Sequence, residues 1–316
     1  MYISINKIQY GGLMILNYIV DSASEGKTVK LILKAKLDLS TRLLIKLKQS
    51  NKILCNSVPV HVNHIVKTGD KIEVFIEFDE ESNDIAPEDI ELNILFEDES
   101  IIAINKQPGI VVHPTCSHPS ETIANGLIKY LYEKNEYIKI RPVSRLDKDT
   151  SGIIIFAKNS YIQEALIKQM GNNLFNKEYL AIAHGIFENS SGTIDLPIAR
   201  KPESIMQRWI SDKGYPSVTE YEVIELLNNA TYLRLHPLTG RTHQIRVHCQ
   251  AIGHALLGDF LYLPGSDQSI DSKNIIKRHA LHSYKLNFIH PLTKEHLNLT
   301  APIPDDILSA LEILRK

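Results

Sequence analysis

The spacing of apolar residues predicts a small module of two helices followed by strands at the start of the chain. Apolar positions recur every three or four residues over 29–37 and over 43–47, which is typical of two short amphipathic helices. Two apolar runs within 53–60 indicate a pair of short strands, and alternation over 71–76 indicates a half-buried strand. We therefore predict an α+β module, the front module, over residues 14–80.

The rest of the chain, residues 91–316, has the pattern of a larger α+β domain, the main domain. Its strand-like runs include 101–104, 152–157, 178–183, 231–236 and 283–288. Its helical runs include 121–133, 161–170, 242–252 and 305–314. Strands follow one another with helices between some of them, rather than in strict strand–helix alternation. We therefore predict an α+β fold whose sheet is mixed and largely antiparallel.

Charge is distributed unevenly, although the chain of 316 residues has a formal net charge of only −2. Residues 27–52 carry eight Lys or Arg against one acidic residue, whereas residues 79–99 carry ten acidic residues and no Lys or Arg. This inversion predicts an acidic linker over 81–90. The basic cluster suits a phosphate backbone, and a solvated lysine face is the alternative. The candidates for RNA binding are Lys30, Lys34, Arg42, Lys46 and Lys48.

Composition places the chain among ordinary globular proteins, with 43% hydrophobic and 23% charged residues. No apolar run approaches the roughly 20 residues of a membrane-spanning helix, so we expect no membrane partner. The three cysteines are odd in number and far apart, which argues against a disulfide framework and favours the reducing cytoplasm. His and Cys residues lack zinc-ligand spacing, and no glycine-rich phosphate motif occurs, so we expect neither a metal nor a nucleotide cofactor.

The first segment with candidate chemistry is a polar loop, 141–150, that leads into the apolar strand at 152–157. A loop held by a buried strand can fix its side chains rigidly. Asp147 lies among cationic residues, so its carboxylate can stay ionised and act as a nucleophile or a base. A tight turn stabilised by Asp and Thr side chains is the alternative. The candidates for substrate binding here are Arg145, Thr150 and Ser151.

A second segment, 177–185, has the pattern of a strand with two functional side chains on one face. Lys177 and Tyr179 alternate onto one side of the strand, while Leu180 and Ile182 point to the other. Tyr179 offers a flat ring for stacking and a phenol for proton transfer, and Lys177 is a candidate for substrate binding. An ordinary strand with a core tyrosine is the alternative.

A third segment, 235–248, joins a strand to a helix through a Thr-Gly turn. We predict that Thr242 caps this helix and that His243 and Arg246, three residues apart, share one face. The free backbone N–H groups of the first turn and the polar side chains together favour an anion. The candidates for substrate binding here are Arg241, His243 and Gln244.

The three segments, in this order and at these separations, resemble the central blocks of the RluA-type family of pseudouridine synthases. The sequences that carry the resemblance are RLDKDTSG, NKEYLAIAHG and LTGRTHQIRVH. ELNILFEDESIIAINKQPGIVVHP is similar to the family's opening strands, and RHALHSYKLNFIHP with APIP is similar to its last strands. The front module, which ends in GDKIEVFIE, resembles the S4-type RNA-binding domain. The two resemblances together cover nearly the whole chain.

The resemblance implies roles for individual residues. Asp147 corresponds to the family's catalytic aspartate, and Arg246 corresponds to the arginine that pairs with it. Tyr179 corresponds to the tyrosine that stacks on the target base and helps move protons. Arg145 matches the arginine that is associated with displacing the target base.

Two positions depart from the family's usual pattern. Ser144 stands where the family usually has His, and Lys106-Gln-Pro-Gly109 stands where it usually has Lys-Pro-Ala-Gly. Neither departure touches the three residues that match the catalytic set. Ser144 does remove any role that a histidine beside Arg145 would have.

The resemblance also implies an activity, the isomerisation of uridine to pseudouridine in structured RNA, which needs no cofactor or metal. Members with a front S4-type domain often act on large-subunit ribosomal RNA, which is the favoured partner, and transfer RNA is the other option. We expect a cytoplasmic monomer that works in rRNA processing. A non-catalytic RNA-binding or ribosome-assembly factor on the same fold is the alternative, and the intact catalytic set argues against it.

Overall fold

The computed structural model describes residues 5–7, 13–77, 85–262 and 272–316. In the front module, two helices pack against one antiparallel sheet. Its elements are β1 (Ile5–Lys7), β2 (Leu13–Ile19), α1 (Val29–Ala35), α2 (Thr41–Gln49), β3 (Ile53–Cys55), β4 (Val58–Pro59) and β5 (Lys71–Glu77). The strands run in the order β1-β2-β5-β3-β4 across the sheet.

The apolar stripes of the front module face its sheet, as their spacing predicts. Leu33 of α1 and Leu47 of α2 are almost fully buried. The Ser40 hydroxyl accepts a hydrogen bond from the backbone N–H of Leu43 and so caps α2. The predicted start of the module at Met14 lies inside β2, and its predicted end at 78–80 lies outside the described residues.

The main domain contains twelve of the described strands and four of the described helices. The strands are β6 (Ile94–Glu97), β7 (Ile101–Lys106), β8 (Arg141–Pro142), β9 (Ser151–Ala157), β10 (Asn176–His184), β11 (Ser191–Asp195), β12 (Ile198–Arg200), β13 (Arg208–Ile210), β14 (Val218–Leu227), β15 (Ala230–Pro237), β16 (Leu281–Ile289) and β17 (His296–Thr300). The helices are α3 (Ile123–Glu133), α4 (Ser160–Gly171), α5 (Gln244–Ala251) and α6 (Asp305–Leu314). In the part of the chain that the structure describes, no helix is long and apolar enough to cross a bilayer.

One large sheet of ten strands organises the main domain, in the order β11-β14-β15-β10-β16-β9-β7-β6, with β17 beside β16 and β8 beside β9. Among the described strands of this sheet, only the contact between β9 and β16 is parallel, and it joins Ser151 to His282 and Gly152 to Ser283. The predicted α+β class and the mixed, largely antiparallel sheet are therefore confirmed. Every residue of β9 is buried, as its unbroken apolar run predicts.

A small hairpin formed by β12 and β13 stands apart from the large sheet. The apolar pattern did not predict it. Ile198 and Ile210 on its inner face pack against Val247 of α5 and against Tyr262. The hairpin is thereby fixed beside the helix that carries the third candidate segment.

The front module packs directly on the main domain. One apolar cluster runs from the module into the main domain, where it includes Tyr161 of α4 and Phe288 of β16. The Tyr161 hydroxyl donates a hydrogen bond of 3.2 Å to the carbonyl of Leu37, and Lys168 of α4 forms an ion pair with Asp38. The turn after α1 is thus held against α4.

The predicted acidic linker over 81–90 lies partly outside the described residues. Its described half, 85–90, packs against α3 rather than running free. Ile85 joins the apolar cluster around α3, and the Asn125 side chain donates a hydrogen bond of 2.8 Å to the carbonyl of Ala86. These six residues therefore pack as part of the main domain.

Candidate active site

The three candidate segments meet in one open cleft of about 740 Å³. The loop before β9, the start of β10 and the turn between β15 and α5 form its walls, because β9, β16, β10 and β15 are neighbours in the sheet. Residues 111–115 close another side. The predicted residues that line the cleft are Arg145, Asp147, Thr150, Lys177, Tyr179, Arg241, His243, Gln244 and Arg246.

The side chains of Asp147 and Arg246 form an ion pair in the cleft. One terminal nitrogen of the Arg246 guanidinium lies 3.1 Å from Asp147 Oδ2. The Asp147 side chain is 25% exposed, whereas that of Arg246 is 8% exposed. A carboxylate that is open on one side and paired on the other can stay charged and still reach a ligand.

A second carboxylate, Asp259, holds Arg246 in place. Arg246 donates to both oxygens of Asp259, at 2.6 and 2.8 Å, and Asp259 is almost fully buried. Burial disfavours the charge of Arg246, but the ion pairs with Asp259 and Asp147 raise its pKa overall. The sequence pattern did not predict a role for Asp259. The signal for it is a lone carboxylate within the apolar run ALLGDFLYL, which requires a buried cation as a partner.

His243 approaches the same carboxylate from the start of α5. Its Nε2 lies 3.8 Å from Asp147 Oδ2, and its Nδ1 is 2.8 Å from the hydroxyl of Tyr262. Burial lowers the pKa of His243, which favours a neutral ring at neutral pH. The predicted shared face of His243 and Arg246 is therefore seen, since both side chains reach Asp147.

The predicted cap of α5 is wrong. The helix begins at Gln244, and His243 is the N-cap residue in a left-handed conformation, with φ 58° and no side-chain cap. The Thr242 hydroxyl instead accepts a hydrogen bond of 3.2 Å from Arg145. The cap of α5 thus lies one residue later than the sequence indicates, and from this left-handed position the imidazole of His243 approaches Asp147.

Tyr179 and Lys177 both face the cleft from β10, while Leu180 and Ile182 pack on the opposite side of the sheet. This is the alternation that the sequence predicts. Burial raises the pKa of Tyr179 to about 12, so its phenol stays protonated at neutral pH. Burial also lowers the pKa of Lys177. The ring of Tyr179 is 8% exposed, and its accessible part lies in the cleft.

Among the other residues predicted to bind the substrate, two are exposed and two have side chains that are already hydrogen-bonded within the protein. Arg145 is exposed and Arg241 lies at the rim, so both can reach a ligand. Thr150 and Gln244 line the cleft, but their polar atoms are already occupied. The Thr150 hydroxyl bonds His279 at 2.8 Å, and the Gln244 side chain bonds groups of Val218, Thr219, Thr239 and Arg241.

Ser151 was predicted to bind the substrate, but it does not line the cleft. It is 2% exposed, and its hydroxyl bonds His282 Nδ1 at 3.0 Å and accepts a hydrogen bond from Arg278. Its prediction as a substrate-binding residue is therefore corrected to a structural role. It joins the start of β9 to β16 beneath the Asp147 loop.

Lys106, for which the sequence pattern predicted no role, supports the Asp147 loop through a hydrogen bond to the carbonyl of Lys148. Its side chain is fully buried, and Nζ donates hydrogen bonds to the carbonyls of Gln107, Ile110 and Lys148 at 2.8, 3.0 and 2.8 Å. Burial lowers the pKa of Lys106 to about 7, while three carbonyl acceptors favour the form with three N–H donors. Lys106 thus ties residue 148 to the loop after β7.

The RNA-binding candidates of the front module all lie on exposed positions of α1 and α2. The Lys34 ammonium donates a hydrogen bond of 2.8 Å to the Thr41 hydroxyl. Their contact with RNA stays a prediction. These residues are Lys30, Lys34, Arg42, Lys46 and Lys48.

One group of potential metal ligands occurs among the described residues, formed by Cys55, His64 and Asp70, whose ligand atoms lie within 4.8 Å of one another. Asp70 already accepts hydrogen bonds from the backbone of Lys67 and the side chain of Asn56. Burial and the neighbouring Asp70 raise the pKa of the Cys55 thiol, which favours the neutral thiol. Hydrogen bonding therefore accounts for the group, and the expected absence of a metal stays a prediction.

Comparison with known proteins identifies the family. Residues 100–251 match the family model described as RNA pseudouridylate synthase. The chain is 39% identical to the "Uncharacterized RNA pseudouridine synthase YjbO" of Bacillus subtilis, over 86% of this chain and 94% of that protein. It is 39% identical to "Ribosomal large subunit pseudouridine synthase D" of Haemophilus influenzae, over 78% of each chain.

A solved structure supports the same assignment. "Human RNA Pseudouridylate Synthase Domain Containing 1" is 26% identical, with a TM-score of 0.55 over 67% of this chain and 83% of that chain. The alignments to the bacterial relatives extend over most of their length, and the residues that match the family model include the three segments of the cleft. The chain therefore belongs to the RNA pseudouridine synthases, as its resemblance to the RluA-type family predicted.

Proposed function

We propose that Asp147 is the catalytic carboxylate with which this enzyme isomerises uridine to pseudouridine. The observation that carries the proposal is the Asp147–Arg246 ion pair in a cleft that Tyr179 also lines. The Arg246 guanidinium pairs with one side of the carboxylate, and the opposite side of the carboxylate is open to a nucleoside. This is what either catalytic route requires.

The reaction exchanges one bond for another on the same base. The bond from the ribose C1′ to the uracil N1 breaks, the base turns, and a bond from C1′ to C5 forms. The hydrogen on C5 leaves as a proton and N1 gains one, so the atoms balance without an oxidant or a reductant. Asp147 can add to C1′ or can remove a proton from the ribose, and both routes use the same ionised oxygen.

The walls of the cleft suit a base that has left its helix. Unstacking a uridine costs a few kcal/mol, which contacts in the cleft must offset. Tyr179 supplies a flat ring for the extruded uracil, and the exposed Arg145 can exchange its hydrogen bond with Thr242 for the space that the base leaves. The neutral phenol of Tyr179 is also able to donate a proton.

The RNA that we propose as substrate is large-subunit ribosomal RNA, because a relative with 39% identity is named for that activity. The exposed basic residues of α1 and α2 would contact its phosphates, with little choice of sequence. We further propose that the enzyme works as a monomer in the cytoplasm. Transfer RNA is the alternative substrate.

Tritium release from RNA labelled at the uridine C5 tests the catalytic assignment. We expect the wild-type enzyme to release tritium and Asp147→Asn to release it at least about 1000-fold more slowly, while RNA binding persists. Asp149→Asn is the matched control, because it makes the same change two residues away on a side chain that does not line the cleft. Substantial turnover by Asp147→Asn would overturn the assignment, and an inactive wild-type enzyme would favour a non-catalytic factor.

Mapping pseudouridines in cells tests the substrate. Deleting the gene should remove pseudouridine from specific positions of large-subunit rRNA, and wild-type enzyme but not Asp147→Asn should restore it. A loss confined to transfer RNA would contradict the rRNA assignment and leave the catalytic role of Asp147 intact.

A further inference from the structure

The hairpin of β12 and β13 exposes aromatic and apolar side chains beside the cleft. Ile205 and Met206 in its loop are 82% and 65% exposed, and Trp209 and Tyr215 are 43% and 69% exposed. Surface patches of this kind on a soluble protein mark a contact with another molecule. Ile198 and Ile210 fix the opposite face of the hairpin against α5, so the patch has a firm support.

Tyr215 lies next to the rim of the cleft. The guanidinium carbon of Arg241 is 5.2 Å from the centre of the Tyr215 ring, and Arg241 Nε donates to the carbonyl of Pro216. Arg241 itself lines the cleft. An arginine over a tyrosine ring is a cation–π contact, and the rest of the ring stays open to solvent.

The backbone holds Tyr215 in a defined position. Tyr215 and Ile198 exchange two backbone hydrogen bonds, of 2.9 and 3.0 Å. Gly214 approaches Ile198 so closely that a Cβ there would lie 2.6 Å from a backbone atom. The ring is therefore presented by a fixed backbone, which lowers the entropy lost when a ligand stacks on it.

Charge on the hairpin favours a polyanion. Residues 198–215 carry four basic residues and two acidic ones in a chain whose net charge is −2. The Tyr262 hydroxyl joins the hairpin to the cleft, since it accepts a hydrogen bond from the backbone N–H of Arg208 and also bonds the ring of His243. The basic residues are Arg200, Lys201, Arg208 and Lys213.

We propose that Tyr215 and Arg241 form a stacking subsite for an unpaired base of the RNA that flanks the target uridine. The base stacks on the Tyr215 ring, and the Arg241 guanidinium contacts a neighbouring phosphate. Aromatic rings on a basic surface bind single-stranded RNA in this way with little regard to sequence. The inference rests on the proposed RNA substrate, and it adds a subsite at the rim of the cleft that selects unpaired structure around the target.

Kinetics on a labelled rRNA transcript test the subsite with the full-length enzyme. Because stacking on one ring is worth about 1–3 kcal/mol, Tyr215→Ala should raise KM about 5-fold to 150-fold and leave kcat unchanged. Tyr215→Phe keeps the ring and should restore the wild-type KM. Tyr137→Ala is the matched control, because Tyr137 is 52% exposed and does not line the cleft.

Trp209 provides a readout that does not need turnover, because it is the only tryptophan in the chain and lies on the hairpin. Titrating the same RNA into the Asp147→Asn enzyme should change the fluorescence of Trp209. Adding Tyr215→Ala to that enzyme should move the midpoint of the titration to a higher RNA concentration. A wild-type KM for Tyr215→Ala, or a Trp209 signal that responds to lipid vesicles and not to RNA, would overturn the subsite. Wild-type enzyme without activity on any RNA would overturn the proposed function instead, and the fluorescence titration would still test the subsite.

Discussion

Arg246 divides one guanidinium between two carboxylates that have different surroundings. Asp259 is buried and takes two hydrogen bonds, whereas Asp147 is partly open and takes one. Since Asp259 fixes the plane of the guanidinium through Nε and one terminal nitrogen, an N–H of the other terminal nitrogen points at Asp147 without further reorganisation. Asp259 is thus a positioning residue that acts on the reaction only through Arg246.

Replacing Asp259 should therefore slow the reaction without weakening the binding of RNA. In Asp259→Asn, an amide N–H₂ faces the guanidinium, so Arg246 loses one acceptor and shifts away from Asp147. A misplacement of about 1 Å can cost about 100-fold in rate, and we expect kcat to fall about 10-fold to 100-fold with KM unchanged. Steady-state tritium release measures both constants.

The chain offers a matched control for this change. Asp306 binds Arg278 through the same two-pronged contact, at 2.6 and 2.9 Å, and neither residue lines the cleft. Asp306→Asn should lower stability and leave kcat near the wild-type value. Equal effects of the two variants on kcat would show that Asp259 serves stability alone.

Sequence patterns identified the cleft residues that lie on strands and helices and missed a residue that lies in a loop. Lys177 and Tyr179 follow from alternation along β10, and Arg246 follows from its place near the start of the predicted helix, although His243 lies just before α5. Asp259 lies in a loop after α5, where no period connects it to Arg246. Ser151 was predicted to bind the substrate because it is close to Asp147 in sequence. As the first residue of a buried strand, however, it is buried and bonds His282 and Arg278.

At the scale of elements, a long regular pattern of apolar residues predicted the boundaries of an element accurately, whereas short or interrupted patterns left strands unpredicted. The predicted helix 305–314 coincides with α6. The strand β14 was missed because a register shift between Val223 and Glu225 interrupts its alternation. The strands β12 and β13 have three residues each, too few to show any period.

Gly152, the last residue of the RLDKDTSG segment, lies where the backbones of β9 and β16 approach each other closely. It has φ +107°, and a Cβ on it would lie 2.2 Å from the Ser283 carbonyl oxygen. Here β9 and β16 make the one parallel contact among the described strands of the large sheet, directly after the Asp147 loop. Only glycine meets both demands, the positive φ and the close approach of the two backbones.

Gly152→Ala should therefore separate β9 from β16 and lower the free energy of unfolding by about 3 kcal/mol or more. Chemical denaturation followed by circular dichroism measures the change. Gly171→Ala at the end of α4 is the control, because a Cβ there has no atom within 4 Å and should leave stability the same or slightly higher. A Gly152→Ala enzyme as stable as the control would contradict the close approach of the strands.

At the scale of the whole molecule, buried histidines couple stability to pH. Burial lowers the pKa of five of them, and for His282 the value falls to about 4. An unfolded chain holds its histidines near pKa 6.5. Between pH 6.5 and 5 the unfolded state therefore takes up protons that the folded state excludes, so stability falls as the pH falls. The residues are His184, His243, His248, His279 and His282.

His282 allows this effect to be measured at one site. It is fully buried and bonds the Ser151 hydroxyl through Nδ1, a contact that the amide of Asn can reproduce. Below pH 6.5 each such histidine contributes a slope of at most about 1.4 kcal/mol per pH unit. In urea denaturation from pH 7.5 to 5, the free energy of unfolding of His282→Asn should fall less steeply with pH than that of the wild type, by at most about 1.4 kcal/mol per pH unit. His296→Asn, which changes an exposed strand position, should keep the wild-type slope. Carboxylates take up protons alike in the wild type and both variants, so an unchanged slope in His282→Asn would mean that His282 has the same pKa in the folded and the unfolded enzyme.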